Sequence, residues 1–293
     1  MSLNKPIWKL RDWIDLEKLD WRLLSINPNA INLLEVNIDD VNWYYLCKNT
    51  NAIDLIEKNP HKIIWSQLSA NPNAMNLLKK NKNKIDWGEL SKNPNAIDLL
   101  QENPHEIDWW ISFNPNAIKI LEKNKYMIEW RYLSSNPNAI ELLKENFEEI
   151  DWFELSANPS AIEILEANKN KINWSQLSGN PNAIKILEKN RDKIDWSHLS
   201  SNPNAMNLLM ANQDKIHWCY LSSNPNAIEL LKKNQDKINW HHLSLNPGIF
   251  ELDYKAMKIA NEGMYEELIK EVMKPSRVFK NPDYDYIEEL FGE

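Results

Sequence analysis

Apolar positions along the chain fall into two alternating patterns. One is A-I-x-L-L, as in Ala96, Ile97, Leu99 and Leu100. Its apolar residues lie one, three and four apart, which marks one face of a helix and not the alternation of a strand. The other is W-x-x-L-S, as in Trp87, Leu90 and Ser91. It is shorter, and its Trp and Leu share a helix face at i and i+3. Between them, single Ile residues such as Ile85, Ile194 and Ile238 form an apolar link.

Both patterns keep one period. Trp recurs at 21, 43, 65, 87, 109, 130, 152, 174, 196, 218 and 240, in steps of 22 with a single step of 21. Asn-Pro pairs follow the same period from Asn27 to Asn246, with Thr50 replacing Pro after Asn49. The unit reads N-P-N-A-I-x-L-L-x-x-N-x-x-K-I-x-W-x-x-L-S-x. A fixed period of this length is the mark of a solenoid. Asn at the head of the unit suits an N-cap, with Pro at the first helical position. The second Asn (Asn81, Asn124, Asn190) suits a left-handed helix end, and Asp86, Asp151 and Asp195 suit caps for the Trp helix. A lone 22-residue unit cannot bury its own apolar residues, so stability comes from stacking.

The expected fold is therefore all-α: an α-solenoid of about ten two-helix repeats over 27–248. Residues 1–26 are expected to form an N-terminal cap. Residues 249–293 are expected to form an acidic C-terminal helical cap, with helices near 251–273 and 286–291. The Trp residues are expected to stack as a buried ladder. Helices packed about 8–10 Å apart would make a rod or arc on the order of 100 Å long. A leucine-rich-repeat solenoid is the competing fold, since its repeats have similar length. The Pro at a helix start and the Glu and Lys at exposed sites favour helices.

Composition follows from the frame. The chain has 293 residues, with 14 Trp, 5 Gly and, by count, 41 Asn, and a net charge of −8. Residues 251–293 carry eleven Asp and Glu against six Lys and Arg. An acidic balance argues against nucleic-acid and anionic-membrane partners. No run of 18 apolar residues is present, so no membrane span is expected. The first eleven residues lack an apolar signal region, so an intracellular or virion location is expected, without secretion.

The unit N-P-N-A-I-x-L-L-x-x-N…I-D-W-x-x-L-S, as in 71–92 and 180–201, resembles tandem repeats in uncharacterised proteins of giant, mimivirus-like DNA viruses. The resemblance covers residues 20–248. It implies a viral protein whose partners are host or viral proteins, and it implies no known activity.

Motifs for phosphate binding, serine hydrolases and zinc proteases are absent. No catalytic residue, cofactor or metal site is expected. Cys47 sits where other copies have Ser and is expected to be buried and inert. Cys219 lies eight repeats away, roughly 80 Å along an open array. His198 and His242 share an offset two repeats apart, too distant to hold one ion, and His241 and His242 diverge on a helix. The Asp–Lys pairs at 192–193, 214–215 and 236–237 read as a solvated edge of alternating charge.

Function is expected where the frame varies. The two positions after each Trp carry Tyr44, Tyr45, Trp110, Arg131, Tyr132, Phe153, His198, Tyr220 and His242 among others. Aromatic residues and Arg are enriched in the cores of protein interfaces. These residues are the candidate ridge for a protein partner, and the expected function is a non-enzymatic interaction scaffold. The alternative is a virion or assembly component that self-associates. The repeat at Trp109–Ser112 has lost one residue, and its short helix is expected to shift or shorten.

Overall fold

A computed structural model describes residues 6–260. The described chain forms two compact units: Leu10–Phe250, and a small one represented by residues 6–9 and 251–260.

Residues 180–201 show how one repeat is made. Ile184–Lys189 is an α-helix, Arg191–Lys193 a single 3-10 turn, and Trp196–Ser201 a second α-helix. Asp195 caps the second helix by accepting from the backbone N–H groups of Ser197 and His198 at 2.9 and 3.1 Å. The first helix starts one residue after Ala183, not at Pro181. Asn-Pro-Asn-Ala is instead a turn, tight enough to be 3-10 at Pro72–Ala74, Pro203–Ala205 and Pro225–Ala227. The closing Asn is not left-handed: Asn190 has φ −134°. Its side-chain amide reaches back to the carbonyl of Ile186 at 2.8 Å, satisfying one of the helix's last carbonyls. No strand occurs within any repeat, so the array is an all-α solenoid and not leucine-rich.

Two polar residues bind each repeat to its neighbours. Asn202 accepts from the Asn204 N–H and donates its amide to the carbonyls of Ser178 and Asn180, at 3.0 and 2.9 Å. Ser200 donates to the Trp196 carbonyl and accepts the His217 N–H of the next repeat, at 2.7 and 3.0 Å. Both side chains are buried, at 1% and 0% exposure. Buried backbone groups need partners, so a polar residue is required at these interior positions. Leu199, Ala205, Leu208 and Leu209 fill the space around them.

The Trp residues are not the core. Ten of the eleven are half-buried, and Trp109 is 43% exposed. Each stands at the N-terminal end of its helix, while the Leu three residues later (Ile111, two later, after Trp109) points inward. Lysines cover many of the indoles. The ammonium groups of Lys62, Lys84, Lys171, Lys193, Lys215 and Lys237 lie 4.7–5.1 Å from the ring centroids of Trp43, Trp65, Trp152, Trp174, Trp196 and Trp218. Lys193, Lys215 and Lys237 thus serve as lids on a neighbour's Trp, beyond the solvated edge that charge alternation suggests.

The array closes on itself. Asn27 donates to the carbonyls of Ser244 and Asn246 at 3.0 and 3.1 Å, as every later ladder Asn does to its preceding repeat. The Asp20 N–H donates to the Ser244 hydroxyl at 2.8 Å, and the Asn29 amide donates to the Pro247 carbonyl at 3.0 Å. Lys18 covers Trp240 at 5.0 Å. Trp21–Ile26, assigned to a cap by the sequence, is therefore the first of eleven Trp helices in a ring. The rod or arc expected for this array is replaced by a closed circuit. The reason is a difference between rows: successive Trp helices pack directly on one another, while successive I-x-L-L helices stand farther apart. The more closely packed Trp row therefore lies on the inside of the curve. Counted through the closure, Cys47 and Cys219 are three repeats apart, not the distance of an open array. Both thiols are free, and burial raises the pKa of Cys47.

Gly248 lets the last turn pack closely on the preceding repeat. A Cβ there would lie 2.6 Å from Ile228 Cγ1 and 2.9 Å from the Pro225 carbonyl oxygen. Its carbonyl accepts from Arg11 Nε at 2.8 Å. In the small unit, Asp253 N–H donates to the Ile7 carbonyl at 2.8 Å and Lys9 pairs with Glu251 at 3.2 Å. Strands Trp8–Leu10 and Phe250–Leu252 pair with each other. Glu251 and Leu252 are thus extended, and the helix expected from 251 begins at 254. The rest of that helix, with Met264 and Leu268, and the one near Tyr286–Phe291 lie outside the described residues.

The Asp20 carboxylate makes stability depend on pH. Its carboxylate holds Arg22 through bonds of 2.7 and 3.1 Å and accepts from His241 Nδ1 at 2.9 Å. The Arg22 hydrogen bonds lower its pKa to about 2. A depressed carboxylate pKa contributes stability above the unfolded value, roughly 3.9, that is lost as pH falls through the folded value. The urea midpoint of the parent should therefore fall more steeply between about pH 4 and pH 2 than that of Asp20→Asn. Parallel curves would show that the Asp20 carboxylate contributes no stability of its own.

Candidate protein-binding face

The ridge residues all lie on the inner row of Trp helices, because the two positions after each Trp point away from the Leu–Ser face. The structure sorts them into exposed and packed groups. Tyr44, Phe153 and Tyr220 are 47%, 46% and 41% exposed. Tyr44 meets Tyr45 edge to face at 5.4 Å and has Lys48 over its ring. Arg131 is also exposed and pairs with Glu154 across the repeat boundary at 3.1 Å.

Trp110 and Tyr132 are packed instead. Together with Trp109 and Phe113 they form a stack of four nearly parallel rings. Trp110 and Tyr132 lie 5.1 Å apart at 14°, and Phe113 and Tyr132 lie 4.2 Å apart at 27°. Lys92 covers Trp110 at 3.8 Å and pairs with Glu89 at 2.8 Å. The missing residue causes this arrangement. Trp109–Phe113 is a 3-10 helix where other repeats have an α-helix, and it turns Trp109 outward onto Trp110 at 4.2 Å. The Asn ladder continues across the change, with Asn114 donating to Ser91 and Asn93 at 3.0 and 2.7 Å. Sequence reasoning assigned Trp109 to the interior and did not select Phe113. The one-residue deletion was the signal that could have found both.

Histidines occupy the same face farther along. The His198 ring meets Asp195 at 3.1 Å and the Ser175 hydroxyl at 3.0 Å. Burial opposes the charge on Asp195, but the bonds from Ser175 and His198 outweigh it and leave the pKa lowered. Tyr220 lies between His198 and His242, with centroids 6.3 and 6.1 Å away. His242 contacts Cys219 Sγ at 3.3 Å and Asn239 Oδ1 at 3.1 Å, both through Nδ1. Burial, with His241 and His217 nearby, lowers the His242 pKa and favours its neutral form. Among the described residues no three His, Cys, Asp or Glu side chains form a group that could hold a metal ion, and no helix is long and apolar enough to cross a membrane.

Comparison with protein-family models, curated proteins and solved structures found no match.

Proposed function

We propose that the chain is a non-enzymatic scaffold that binds a protein partner on its inner Trp-helix face. One observation carries the reading: Tyr44, Trp109, Phe153 and Tyr220 are large aromatic residues exposed on one row of helices whose core is already filled by Leu, Ala and Ser. Exposed aromatic side chains supply large contact area, and they are enriched where partners meet. The resemblance to giant-virus repeat proteins makes a host or viral protein the natural partner. Self-association end to end, as a virion component would use, gains no support from the array: its first and last repeats already bond to each other.

The test compares the parent with a Tyr44→Ala, Phe153→Ala, Tyr220→Ala variant. All three side chains are exposed, so each substitution should change stability by less than about 1 kcal/mol. Proteins retained by the immobilised parent and lost from the variant would support the reading. Identical retention by both would overturn it.

A further inference from the structure

The lysine lids are missing from one sector of the ring. Seven Trp rings are covered by a Lys three residues before the Trp of the following repeat, counting Lys18 over Trp240. For three consecutive rings, Trp87, Trp109 and Trp130, that position holds Glu106, Met127 and Glu149. Trp21, with Asp40 there, lies two lysine-covered repeats away. Glu106 and Glu149 are exposed, and among the described residues neither takes part in an ion pair. The sector is acidic: residues 98–149 hold ten Asp and Glu against five Lys and Arg, while 152–241 hold nine against ten. Trp109 is also the most exposed of the repeat tryptophans.

We propose that Trp87, Trp109 and Trp130 bind an extended, lysine- or arginine-bearing segment of a partner protein. This rests on the reading of the chain as a protein-binding scaffold and names the chemistry of its partner. The chain itself shows what covers such a ring: an ammonium group at 4.7–5.1 Å, the geometry of a cation–π contact. Where that Lys is replaced by Glu, over Trp87 and Trp130, or by Met127, over Trp109, no ammonium group of the chain covers the ring in this way, and it is left for a cation from outside. The carboxylate then attracts that cation instead of supplying one. Spacing sets the ligand's form. Neighbouring helices lie about 10 Å apart, and a segment in the extended polyproline II conformation has three residues per turn and rises about 3.1 Å per residue. Lysines at every third position then share one face about 9 Å apart and would meet successive Trp rings.

The probe is a fluorescein-labelled, N-acetylated Lys-Ser-Gly-Lys-Ser-Gly-Lys peptide, read by anisotropy. The decisive variant is Glu106→Lys, Met127→Lys, Glu149→Lys, which restores the residue seven repeats already carry and should keep or raise the melting temperature. It should bind the peptide at least tenfold more weakly than the parent. Glu163→Lys, Glu166→Lys, Glu188→Lys, a comparable charge change elsewhere on the ring, should bind within twofold of the parent. A peptide with acetylated lysines should not bind. If the triple lysine variant fails to fold, Trp109→Leu takes its place, with an expected loss of about fivefold. Equal binding by the parent and the decisive variant would overturn the proposal, as would tighter binding of a ten-residue oligothymidylate than of the peptide. A partner retained through the aromatic face but indifferent to the lysine variant would overturn this inference and leave the scaffold reading standing.

Discussion

Asn27→Ala should destabilise the protein as much as Asn158→Ala, each by roughly 2–4 kcal/mol in urea unfolding. The two residues sit in matched surroundings. Asn158 donates to the carbonyls of Ser134 and Asn136 at 3.0 Å each and accepts the Ser160 N–H at 2.9 Å. Asn27 donates to Ser244 and Asn246 at 3.0 and 3.1 Å and accepts the Asn29 N–H at 3.1 Å. Both are 1% exposed. Alanine removes two donors from buried carbonyls and one cap from a turn, and leaving a buried acceptor unmade costs more than the net worth of its bond. In an open array Asn27 would have no preceding repeat. Its substitution would then cost only the cap, about 1 kcal/mol. Equal losses for the two variants establish the closure, and a much smaller loss at Asn27 refutes it.

What the sequence made legible was the content of a repeat, not the relation between repeats. Period, helix type and the Asp caps follow from local spacing, which depends only on chain geometry. The closure does not, because it depends on a small tilt accumulated over every interface, and no single window of sequence carries that angle. The Trp positions misled for a related reason. A periodic large apolar residue reads as core, yet whether its ring points inward depends on where it stands in its helix and on a lysine 19 residues later. The role of Ser200 is written in its placement. A polar residue kept in the middle of an apolar face signals a backbone group that needs a partner, and that question was answerable from sequence alone. The candidate face was half legible. Tyr44, Phe153 and Tyr220 fall off the Leu–Ser stripe and are exposed as that placement requires. Trp110 and Tyr132 have the same placement but are stacked under neighbours, because the deleted residue drew the rings of two repeats together.

The same serine supports the second large effect. Ser156→Val should cost roughly 2–5 kcal/mol, while Ser156→Cys should cost under about 1 kcal/mol. The Ser156 hydroxyl donates to the Trp152 carbonyl at 2.7 Å and accepts the Asn173 N–H at 2.9 Å, in a site with no solvent exposure. Valine removes the acceptor and leaves the Asn173 N–H without a partner. It also adds methyl groups to a filled space, so the unmade bond and the overpacking act together. Cysteine keeps an acceptor of similar reach. The chain contains that experiment at Cys47, where sulfur replaces the serine oxygen and accepts the Ile64 N–H at 3.4 Å. The ladder passes through this repeat unbroken, with Asn71 donating to the carbonyls of Cys47 and Asn49 at 2.9 and 3.1 Å. If Val and Cys cost the same, the interface depends on volume alone. If Val costs several times more, the hydrogen bond between repeats is what the position maintains, and the periodic serine belongs with the asparagine as the second polar element holding the ring together.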